Sequence, residues 1–67
     1  MIAEKIAEES ALYISSQNKM PKCIRISKTD LDTLAKERPE VITEGHIWGL
    51  RIELASEALT GYLTVGE

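Results

Sequence analysis

The sequence predicts a small two-layer α+β domain with the element order α-β-α-β-β and a short antiparallel or mixed sheet. Three observations carry this. Residues 2–17 have helical periodicity, residues 22–27 and 50–54 alternate apolar with polar, and a capped short helix lies between them.

Residues 2–17 read as an amphipathic helix. Ile2, Ala3, Ile6, Ala7, Tyr13 and Ile14 fall in one arc at about 100° per residue, with Ser10 inside it. Glu4, Lys5, Glu8, Ser15 and Ser16 take the other side, and Lys5 and Glu9 are spaced to meet at i,i+4. Leu12 projects among the polar residues. An isolated exposed Leu is ordinary; the alternative is a second contact surface. Residues 1–18 are therefore a candidate oligomerisation helix, with Ile6, Leu12 and Tyr13 as candidate interface residues. Asn18 suits a left-handed helix end, and Pro21 blocks continuation.

Residues 22–67 form a βαββ body in the same single domain. Ile24 and Ile26 point one way on the first strand, with Cys23, Arg25 and Ser27 on the other. Cys23 is expected to be partly exposed. Ser27-Lys28-Thr29-Asp30 has capping-box spacing with Asp in the acidic position, and Asp30 and Asp32 favour the helix dipole. Leu31, Leu34 and Ala35 give the apolar stripe of a helix over 28–38, which Pro39 ends. Val41-Ile42-Thr43 is a possible extra strand, and Glu44-Gly45 is a turn signal. Leu50, Ile52 and Leu54 are expected to face inward, and Gly49 marks a bulge or a tight turn. Residues 55–61 form a connection with room for one helical turn. Tyr62–Val65 is the last strand.

Composition sets the class. The chain has 67 residues, 43% hydrophobic and 28% charged, so it is expected to be globular. Trp48, Tyr13 and Tyr62 are the only aromatic residues, so the core is aliphatic. Scaling predicts about 4,200 Å² of folded surface. Burial worth about 100 kcal/mol meets an ordering cost of about the same size. Such a chain gains more than a larger one from a partner or a second copy. It is too small for a deep substrate cleft or a cofactor-binding α/β domain; no cofactor and no small-molecule substrate are expected. The lone Cys23 permits no internal disulfide and fits a reducing compartment. The acidic start is unlike a signal peptide, and no apolar run reaches the roughly 18 residues that span a bilayer. The expected location is the cytoplasm.

Candidate chemistry is thin. Ser27, His46 and Asp30 or Asp32 contain the residue types of a triad, but there is no nucleophile-elbow motif and no glycine-rich oxyanion loop. Cys23 with His46 would supply two metal ligands where a structural zinc site needs four. Glu8-Glu9, Asp30-Asp32 and Glu37-Glu40 fit solvation and helix capping better than paired general acid–base work. Lys19, Lys22, Arg25 and Lys28 form the only basic run, in a chain of net charge −3. They are candidate phosphate contacts. The alternative is charge that discourages edge-strand pairing. No aromatic interleaves them for base stacking, so nucleic acid is a weak candidate partner. Trp48 and Tyr62 are of the types that anchor interfaces, and Trp48 equally suits the core.

Residues 46–67 (HIWGLRIELASEALTGYLTVGE) resemble the segment near the C-terminus of tailed-phage major capsid proteins. There a strand with a Gly-hydrophobic-Pro-Val core is followed by a short loop, a Gly and a strand ending near Gly-Asp. Ile24–Ser27 with Asp30–Leu34 is similar to the strand, cap and helix that precede it. Gly49, Leu50, Ile52, Gly61 and Gly66 carry the resemblance, and Arg51 stands where the family has Pro. The resemblance implies a phage or prophage origin. It brings no catalytic residue, and most of the capsid fold is missing, so a shell subunit is not expected.

The expected function is a non-enzymatic protein-interaction module that binds a protein partner or itself, as a homo-oligomer. The alternatives are a regulator touching nucleic acid through residues 19–28, or an acidic inhibitor presenting Glu40, Glu44, Glu53 and Glu57 to a host protein.

Overall fold

The computed structural model describes residues 1–67. In chain order it contains α1 (Ile2–Gln17), β1 (Cys23–Ser27), α2 (Lys28–Glu37), β2 (Ile42–Thr43), β3 (His46–Ile47), β4 (Leu50–Ala55) and β5 (Thr64–Gly66). Single 3-10 turns occupy Pro39–Val41 and Glu57–Leu59. The strands form one mixed sheet of order β2-β3-β4-β1-β5. The fold is thus the expected small α+β domain, helix first.

Local chemistry places the boundaries. Asn18 ends α1 in the left-handed region, at φ 57° and ψ 34°, and its N–H donates to the Ile14 carbonyl. The Ser27 hydroxyl caps α2 by accepting from the Asp30 N–H at 3.2 Å. β1 runs parallel to β4, with Ile24 beside Ile52, and antiparallel to β5, with Ile24 beside Val65. A parallel pair needs a long crossover, which α2 and the β2–β3 hairpin supply.

The sheet holds five strands where three or four were expected: β2 falls within the possible extra strand at 41–43, and β3 is the addition. These two strands have two residues each, too short to show any alternation. Their turns define them. Glu44-Gly45 has φ values of 50° and 77°, and Trp48-Gly49 has 48° and 82°. Paired positive φ values give the two-residue turns whose twist matches a hairpin. Gly49 therefore makes a tight turn.

The core lies on one face of the sheet. Ile24 and Ile26 of β1 are fully buried against Ala3 and Ile6 of α1, Leu34 of α2, and Val41, Ile47, Leu50 and Leu63. Each such aliphatic side chain contributes about 1.5–3 kcal/mol by leaving water. The other face carries Thr43, His46, Arg51 and Cys23 across one row, and Glu53, Arg25 and Thr64 across the next.

Three expectations are corrected. Ile6 is 0% exposed and belongs to the core, so it cannot serve as an interface residue. Its neighbours in the helical stripe, Ile2 and Ala3, enter the same core. Leu54 is in register with the buried Ile26 but stays 64% exposed and does not pack on the core, unlike Ile52. Cys23 is buried although it lies on the polar face. Its thiol donates to the Glu67 carbonyl at 3.2 Å. The neighbouring Glu53 carboxylate favours the protonated thiol and raises its pKa, and burial adds to this.

Candidate protein-interaction surface

α1 lies beside the edge strand β5, with Lys5 near Gly61 and Ser16 near Val65. Only part of the helix enters the core. Its buried residues, Ala3 and Ile6, are both in the first half. In the second half Ala11, Leu12 and Ile14 are exposed and Tyr13 is half-buried. Four consecutive apolar residues point all round a helix, a pattern that calls for burial on more than one side. Here Leu12 remains 58% exposed and Ile14 38%.

Beside this segment runs a groove of about 350 Å³ between α1 and the edge strand β5. Glu9, Leu12, Tyr13 and Ser16 line one wall, and Thr64 and Val65 the other. At the start of the same side Tyr62 is 72% exposed. The Lys5 ammonium stands 5.8 Å from its ring centroid and donates to the Gly61 carbonyl at 2.6 Å. Leu12, Tyr13 and Tyr62 thus share the α1–β5 side of the molecule. Trp48 does not join them: it sits in the β3–β4 turn, with β4 and β1 between it and β5. Its ring is half-exposed, and its N–H donates to the Val41 carbonyl at 3.0 Å.

The basic run is dispersed and largely accompanied by acids. Lys19 pairs with Glu67, and Lys28 lies 3.5 Å from Asp32. Arg25 is in register with Glu53 on the next strand, and Lys22 precedes β1 at its far end from Lys28. The acids of the inhibitor reading are engaged too. Glu40 pairs with Arg38, which lowers its pKa, and Glu53 lies 3.9 Å from Arg51.

Glu57 takes part in a polar knot that the sequence reading missed. Its carboxylate accepts from the Thr29 hydroxyl and from the Thr29 N–H at 3.2 Å, at the N-terminus of α2. The Thr29 hydroxyl and this backbone donor hold its pKa down. Thr60 Oγ1 lies 2.7 Å from the Glu57 carbonyl and 3.1 Å from Ser27 Oγ. A hydroxyl has one proton, so Thr60 donates to the carbonyl and Ser27 donates to Thr60. The buried Asp30 accepts from the Gly61 N–H at 2.6 Å. The knot joins the C-terminal connection to the start of α2; only its Ser27 cap had a visible signal, the four-residue capping spacing. His46 lies apart, with Nδ1 2.9 Å from the Glu44 carbonyl.

Met1, Met20, Leu54 and Leu59 are further exposed apolar residues that the sequence did not single out. Met20 lies in the loop after α1, and Leu59 in the 3-10 turn, where periodicity gives no facing. Comparison with protein-family models, with curated proteins and with solved structures yields no match. No helix is long and apolar enough to cross a membrane.

Proposed function

We propose that this chain is a non-enzymatic protein-interaction module that self-associates. The carrying observation is the apolar run Ala11–Ile14 in the second half of α1, exposed except for the half-buried Tyr13. With 13 buried residues in the whole chain, leaving that run in water forgoes burial that a small domain needs. A second chain supplies the missing cover. A reducing cytoplasm suits the free thiol of Cys23. A phage or prophage origin belongs to the same proposal and rests on the sequence pattern of residues 46–67 alone. Sedimentation equilibrium at micromolar concentrations tests the self-association. An assembly mass above 7.5 kDa that rises with concentration is expected; an unchanging monomer mass refutes it.

A further inference from the structure

We propose that a second copy of this chain docks across the groove between α1 and β5, the two α1 helices lying antiparallel about a two-fold axis near Leu12. This docking mode depends on the self-association proposed above and specifies its surface. The groove is lined by Leu12 itself, so one patch both offers an apolar side chain and receives one. That self-complementarity is what a two-fold interface requires.

Charge fixes the direction of the second copy. The first half of α1 carries Glu4, Glu8 and Glu9 against Lys5, whereas beyond its C-terminal end Lys19 is held by Glu67 and Lys22 is exposed. A parallel pair would set Glu8 and Glu9 against their own copies, and like charges at that spacing repel. The antiparallel pair separates the two acidic halves and sets each toward the Lys22 end of the other copy. It also opposes the two helix dipoles. Glu9 and Ser16, both on the groove wall, exchange places across an axis between Leu12 and Tyr13. A standard interface buries about 800 Å² per partner, about a fifth of this chain's 4424 Å² surface.

The test combines mass with cross-linking in a Cys23→Ser background. Leu12→Glu should weaken dimerisation at least tenfold while far-UV circular dichroism stays unchanged, because Leu12 contributes little to the monomer core. Leu12→Cys should form a disulfide dimer under an added oxidant, and Trp48→Cys should not. Glu9→Cys mixed with Ser16→Cys should cross-link, whereas Glu9→Cys alone should not; the reverse indicates parallel helices. A dimer that survives Leu12→Glu, or one that links through Trp48→Cys and not Leu12→Cys, overturns this docking mode while leaving self-association intact. A wild-type chain that remains monomeric overturns both.

Discussion

Ser27→Ala removes two interactions at once, and the structure sets the size of the loss. Ser27 is 1% exposed, ends β1 and caps α2. Its oxygen accepts from the Asp30 N–H at 3.2 Å and lies 3.1 Å from Thr60 Oγ1. Loss of a helix N-cap costs about 1 kcal/mol, and loss of the second hydrogen bond about 1 kcal/mol more. The total of about 2 kcal/mol is a large part of the roughly 3–10 kcal/mol that a domain of this size possesses. It corresponds to a fall in Tm of about 8–16 °C. Thermal melting followed by far-UV circular dichroism reads this directly, at a dilution that holds any oligomer constant. Thr60→Val should lose about 1 kcal/mol. The double variant should lose less than the sum, since both changes remove the same bond. A Ser27→Ala loss below about 0.5 kcal/mol would show that neither bond stabilises the fold, and the polar knot would lose its assigned role.

Three further outcomes are expected. Trp48→Gly should melt higher than Trp48→Ala by about 1 kcal/mol, reversing the usual order, because φ is 48° there; an Ala variant of equal or higher Tm contradicts the left-handed turn. Ile6→Ala should cost about 2–5 kcal/mol, whereas Leu12→Ala in the dilute monomer should stay within about 0.5 kcal/mol; similar urea midpoints for the two would misplace the core. Glu57 has a folded pKa below the ordinary 4.5, so its stabilisation is present above that value and is lost as pH falls through the lowered one. The Tm gap between wild type and Glu57→Gln should therefore be widest near neutrality and close in acid; a gap that grows in acid reverses the sign and refutes the assignment.

Much of the fold was legible because local chemistry was strong. The stripe of Ile2, Ala3 and Ile6, the alternation around Ile24 and Ile26, the Ser27 cap and the Asn18 stop act through residues a few positions apart. Facing was less legible where it depends on distant cover. Leu54 and Ile52 alternate identically, yet only Ile52 packs against the core. Ile6 and Tyr13 share one helical arc, yet Ile6 enters the core and Tyr13 borders the open groove beside β5.

The sequence by itself determined the helix–strand order, the α2 cap, the aliphatic core and the positions of the turns, since each follows from neighbours along the chain. Tertiary structure alone decided that β1 and β4 lie side by side, that Cys23 is buried on a polar face, and that Glu57 reaches Thr29. It also decided that only the first half of α1 is buried. These depend on which distant segments meet and where each element runs out, and side-chain periodicity carries neither.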